Sequence, residues 1–149
     1  MQDSRFWATL DSLVSACEIT VDRPAGTRHP RYPDLVYPLD YGYLQGSQSS
    51  DGAEADCWVG SIAGRPVTGI VVTIDLQKRD AEAKVLRGCT PGEMQTIEAF
   101  HNGGPMAAIV MPRPERRRAC LADEAAKLNP REEQELAEEA ISRPLTDGC

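Results

Sequence analysis

The chain has 149 residues, with 23 Asp and Glu against 16 Lys and Arg, a formal charge of -7. That length suits one domain and can bury a core without staples. The acidic balance and the lack of a long Lys/Arg stripe exclude nucleic acid as a default partner, and no apolar run reaches the roughly 18–20 residues that span a bilayer. Five scattered cysteines (Cys17, Cys57, Cys89, Cys120 and Cys149), with no C-x-x-C pair, predict neither a disulfide framework nor a zinc site. The expected compartment is therefore a reducing cytoplasm, and the N-terminus lacks the pattern of a secretory signal.

Phe6, Trp7, Leu10, Leu13 and Val14 recur at helical spacing behind Asp3, a candidate cap, which predicts an amphipathic helix over 3–17. A short strand over 18–22 follows. Pro24, Pro30, Pro33 and Pro38 then exclude a helix and predict an ordered, extended loop. All four tyrosines of the chain lie in or just after it, between Tyr32 and Tyr43. Strand-like patterns cover 41–44, 56–62, 67–75 and 80–86, broken by Gly, Ser and Pro signals. The β-branched run from Gly69 to Ile74 marks a central strand. Thr90-Pro91-Gly92-Glu93 reads as a capping box opening a helix to about Phe100, which ends before Asn102-Gly103-Gly104. His101, near that end, reads as a C-terminal capping residue. A last strand covers 106–111.

Beyond Pro112 the composition turns to mixed charge, with a second cap at Asn129-Pro130-Arg131-Glu132. The expectation is a domain over 1–111 and a helical extension over 112–149. Arg116-Arg117-Arg118 and the acidic run from Glu132 to Glu139 are a candidate docking surface for a partner or a second subunit, against the plainer reading of a solvated helix face.

Six carboxylates crowd between positions 51 and 82: Asp51, Glu54, Asp56, Asp75, Asp80 and Glu82. On a strand, Asp80, Glu82 and Lys84 share one face, because side chains alternate with period two. Carboxylates that converge repel one another and need a cation, a shared proton or a basic neighbour. Hard oxygen ligands of this kind suit Mg2+, or Mn2+ in its place. Upstream, Arg23, Arg28, His29 and Arg31 lie with Tyr37 and Tyr41, and guanidinium forks and phenols suit phosphate oxygens. No nucleophile elbow and no phosphate-binding P-loop is present. Covalent catalysis is not expected.

The string Tyr37-Pro38-Leu39-Asp40-Tyr41-Gly42-Tyr43-Leu44, followed by Asp51-Gly52-Ala53-Glu54-Ala55-Asp56, resembles the soluble (family I) inorganic pyrophosphatases. Those carry Y-P-x-N-Y-G-[FY]-[IL] and then D-G-D-P-x-D. Asp75 and the 80–84 segment are similar to that family's later metal-binding aspartates. The resemblance covers about residues 18–102. It implies an α+β fold built on a compact OB-like five-stranded β-barrel with flanking helices. It also implies Mg2+-dependent hydrolysis of pyrophosphate, or a related diphosphate, by a metal-activated water.

Carried over by position, Asp51, Asp56 and Asp80 would bind metal with Asp75 beside them, and Glu82 takes the place of Asp80 in the alignment that matches Lys84 to the family's lysine. Of the phosphate contacts the match carries over Tyr41, while Arg23, Arg28, His29, Arg31, Tyr37 and Lys84 are candidates by their chemistry and place, and Glu54 and Asp56 are the candidate catalytic acids. The partner is then a small phosphorylated molecule, and assembly into a homo-oligomer is left open. Two departures qualify the match. Ala53 stands where the family has its middle aspartate, with Glu54 as the candidate substitute, and the hairpin that normally follows the first strand is missing. These departures motivate an alternative: a pyrophosphatase-like module that binds a phosphorylated ligand with impaired catalysis.

Overall fold

A computed structural model describes residues 4–115. Helix α1 (Ser4–Ser15) leads into strand β1 (Glu18–Arg23), and β2 (Asp40–Gln45), β3 (Ala55–Val59), β4 (Val67–Asp75) and β5 (Asp80–Arg87) follow. Helix α2 (Pro91–Asn102) and strand β6 (Met106–Pro112) complete the order. The expected helices of the C-terminal extension lie outside the described residues.

The prolines between β1 and β2 act as the sequence predicts. Lacking N–H donors, they leave this segment as a loop held by local bonds, with a single bridge pairing Arg28 with Val36. The six strands form one mixed sheet in the order β1-β2-β3-β5-β4-β6, antiparallel except for the parallel β3–β5 pair. The α+β class therefore stands. The expected closed five-stranded barrel does not, because β1 and β6 end the sheet on opposite sides.

The outer edge of β6 shows why no strand adds there. Asn102 Oδ1 accepts the Ala108 amide at 3.0 Å, and Glu98 Oε2 accepts the Val110 amide at 2.9 Å. Two side chains of α2 thus occupy the amides that a closing strand would need.

Alternation along the strands sorts the core into two faces. Cys57 and Val59 of β3, with Leu44, Ile70 and Val85, pack with Trp7 and Val14 of α1. Trp58 points the other way, packing with Val71, Leu86, Met94, Ile97 and Phe100 on the α2 face. Each large apolar side chain so buried contributes about 1.5–3 kcal/mol. The capping box forms as read: Thr90 Oγ1 accepts the Glu93 amide at 3.1 Å and Glu93 Oε1 accepts the Thr90 amide at 2.8 Å. Glu93 also accepts the Ser61 amide at 3.1 Å, tying α2 to the loop after β3.

Gly42 in the Tyr-Gly-Tyr string is a close-approach position. A Cβ there would collide with the Thr20 carbonyl on β1, so β2 can lie against β1 only with glycine at this point.

Candidate functional site

The sheet face that carries Trp58 and Leu86 also carries Tyr41, Asp56, Thr73, Asp75, Asp80, Glu82 and Lys84, because each is an even number of positions from a core residue on its strand. Parallel pairing of Cys57 with Val85 sets Asp56 beside Lys84. The loop between β1 and β2 folds over this face and brings Arg23, His29, Arg31 and Tyr37 to a cavity of about 310 Å3 that Asp56, Asp75, Asp80, Glu82 and Lys84 also line. A second cavity of about 280 Å3 is lined by Asp51 and Glu54 on one side and by Asp56, Asp80 and Glu82 on the other. The last three residues line both spaces.

One wall of the larger cavity is acidic and partly neutralised by two lysines. Lys84 Nζ lies 2.9 Å from Asp56 Oδ2 and 2.6 Å from Glu82 Oε2, with its side chain only 7% exposed. Lys78 Nζ lies 3.1 Å from Asp80 Oδ2 and 3.5 Å from Glu82 Oε1. Tyr41 donates to Asp56 Oδ2 at 2.6 Å. Burial and the adjacent Asp56 carboxylate hold the Tyr41 phenol well above its ordinary pKa, so it stays a donor. Burial pushes the Glu82 carboxyl up, but the hydrogen bond and charge of Lys84, with Lys78 behind, bring it below the usual range. At Asp75, burial is likewise outweighed by the Lys78 and Gln77 amides and the Tyr32 phenol, and the net shift is downward.

The opposite wall is basic and aromatic. Arg23 donates to the Tyr37 phenol at 3.2 Å and sits over its ring at 5.8 Å. His29 stacks between Tyr32 and Tyr37, with ring centroids 4.9 and 5.7 Å away. Its Nδ1 accepts the Arg31 and Tyr32 amides, which leaves the proton on Nε2. Burial, followed by the Arg23 charge, lowers its pKa, so the ring is neutral at pH 7. Neither Arg23 nor Arg31 enters an ion pair among the described residues.

Not every expected residue joins the cavity. Arg28 is exposed, bonded to the Pro33 carbonyl at 3.1 Å, and absent from the lining. Asp51 turns into its own loop, accepting from Ser49 Oγ at 2.6 Å and from the Ala53 amide at 3.0 Å. The Ser49 bond, then the Ala53 amide, lower its pKa.

His101 is a correction. Instead of capping α2 it is buried, and its Nε2 accepts the Trp58 indole N–H at 3.0 Å. Burial, then the Lys84 and His29 charges, push its pKa down to about 3. Sequence reasoning also missed Lys78 and Tyr32. Lys78 had a signal, a cation two and four residues before two acids at a strand start. Tyr32 had none, since only the folded loop brings it to Asp75. The buried Cys57 and Cys89 behave as the small core residues expected, with burial raising both thiols to about 12.

The expected divalent cation can be tested against these contacts. Among the described residues, no three His, Cys, Asp or Glu side chains converge closely enough to hold one. Asp56, Asp80 and Glu82 instead each accept from a lysine. An octahedral Mg2+ needs those oxygens turned to one centre. The donor set as arranged does not fit it.

No family model matches the chain, and no curated protein matches it. Its backbone is similar to several solved structures of inorganic pyrophosphatases. One is the inorganic pyrophosphatase from Coxiella burnetii, 14% identical over 63% of this chain and 82% of that one, with a TM-score of 0.42. A second is the inorganic pyrophosphatase from Thermus thermophilus, 20% identical over 64% and 78%, with a TM-score of 0.41. A third is an inorganic phosphatase from Anaplasma phagocytophilum, 16% identical over 64% and 80%, with a TM-score of 0.39. Likeness at this level assigns no residue a role. Among the described residues no helix is long and apolar enough to cross a membrane.

Proposed function

We propose that the chain is a binding module for a small phosphorylated ligand, with a diphosphate such as pyrophosphate as the ligand class. The ligand sits in the larger cavity with its phosphate oxygens on Arg23 and Arg31. The neutral His29 Nε2–H and the Tyr37 phenol supply further donors. One observation carries this reading: two guanidinium groups without carboxylate partners among the described residues face a cavity in which Asp56, Asp80 and Glu82 are already held by lysines. A guanidinium fork offers a phosphate two parallel, charge-assisted donors. Ala53 and the lysine contacts both weigh against hydrolysis as the main activity.

Hydrolysis is the second reading, favoured by the five carboxylates that line the smaller cavity, Glu54 among them. Calorimetric titration of pyrophosphate into the full chain tests the first reading. Saturable heat that disappears in Arg23→Ala and Arg31→Ala supports it, and no heat in the wild type overturns it. Phosphate release that needs Mg2+ and is lost in Asp56→Asn would promote the second. Release gained only on Ala53→Asp would mean that a competent site had lost one carboxylate.

A further inference from the structure

The lysines of the acidic wall occupy the positions that a bound cation would take, and from this we infer that the chain carries its own counter-cations there. Lys84 and Lys78 replace a divalent ion at Asp56, Asp80 and Glu82, so ligand binding is independent of metal. The inference rests on the binding reading above and deepens it.

Lys84 is four residues after Asp80 and two after Glu82, so all three point to one side of β5. The parallel β3 partner places Asp56 next to Lys84. An ammonium on a flexible stem can reach between two carboxylates that a strand holds apart, and Lys84 Nζ does so at 2.9 and 2.6 Å. The Tyr41 ring lies 5.6 Å from the same nitrogen, and the Tyr41 hydroxyl bonds the same Asp56 oxygen. Nζ is thus enclosed by two carboxylates and an aromatic ring. From the solvent side Lys78 repeats the arrangement, on Asp80 and on the other Glu82 oxygen. Both Glu82 oxygens are therefore committed to ammonium groups.

A divalent ion at this wall would have to displace Lys84 from a largely buried position and leave that charge unpaired. Doing so is costly, because a buried ammonium without partners loses its solvation and gains nothing in return. Removing the lysines should have the opposite effect. Asp56, Asp80 and Glu82 would then repel one another and gain most by sharing a cation.

The test uses the full chain, Mn2+ alone as the probe, and electron paramagnetic resonance of the free ion. Lys84→Met should bind Mn2+ about tenfold or more tightly than wild type, since affinity at oxygen sites follows the uncompensated ligand charge. That gain should disappear in Lys84→Met with Asp56→Asn. Lys78→Met removes the more exposed lysine and should give a smaller gain. It carries the test alone if circular dichroism shows Lys84→Met unfolded. Wild type binding Mn2+ as tightly as a folded variant overturns the inference, as does a folded Lys78→Met or Lys84→Met with no gain. A parallel titration of wild type with pyrophosphate in EDTA and in Mg2+ separates the two readings. Binding seen only with Mg2+ overturns metal independence and leaves the phosphate pocket standing. No binding in either condition removes the pocket itself.

Discussion

The two walls of the larger cavity are charged oppositely, and they differ more in how that charge is held. On β3 and β5, Asp56, Asp80 and Glu82 sit on rigid strands and share two lysines, each carboxylate in contact with at least one. At the end of β1 and on the loop that follows it, Arg23 and Arg31 sit among aromatic rings and prolines, with no carboxylate matched to either among the described residues. Charge that is matched within the protein mainly supports the fold. Unmatched charge facing a cavity can recruit a ligand. The walls should therefore separate under mutation, with stability failing on the strand side and affinity on the loop side.

Acid is expected to produce the largest effect, through His101, which lies on the same cavity. Its pKa is about 3 in the fold against an ordinary 6.5, so the unfolded chain binds the extra proton first. The group's contribution is intact above pH 6.5 and is lost as pH falls from there toward 3. The full loss is on the order of 4–5 kcal/mol. Urea unfolding across pH 7 to 4 should show this slope in wild type and a shallower one in His101→Phe. Equal slopes would mean that the ring is not held neutral.

Next in size is Lys84→Met, which leaves Asp56 without a cation and Glu82 with Lys78 alone. Breaking a buried pair costs roughly 3–5 kcal/mol, and the low end applies because the partners remain 35% and 29% exposed. Urea midpoints at pH 7 measure it, and an unchanged midpoint would show that the acidic wall does not depend on its lysine.

On the other wall, Arg23→Ala should weaken pyrophosphate binding by about 1.5–3 kcal/mol, the worth of a charge-assisted hydrogen bond. Arg31→Ala should behave alike, with stability falling by no more than about 1.5 kcal/mol in either, since among the described residues neither arginine has an ion pair to lose and Arg23 loses one hydrogen bond to Tyr37. A large stability loss in either would erase the contrast between the walls. Smallest is Lys78→Ala, whose half-exposed contacts should contribute under about 1 kcal/mol to stability.

Much of this arrangement is legible in the sequence because it is local. Period two put Asp80, Glu82 and Lys84 on one face, the capping box marked the start of α2, and the prolines kept 24–38 out of helix and sheet. What was not legible depends on pairings between distant segments. The β3–β5 register, which brings Asp56 to Lys84, joins residues 28 apart, and no local pattern encodes it. Closure of a barrel was expected from a resemblance in motifs. Whether it happens turns on α2 side chains that satisfy the β6 edge, and their strand partners are visible only once folded. His101 illustrates the same limit: its position suggested a helix cap, while the indole of Trp58, 43 residues away, takes it into the core.

The most direct test of the account is calorimetric titration of pyrophosphate into the full chain in excess EDTA, repeated in excess Mg2+. The account predicts saturable binding in EDTA at least as tight as in Mg2+, and its loss in the Arg23→Ala, Arg31→Ala double variant. Binding that appears only with Mg2+, or that survives in the double variant, would contradict it.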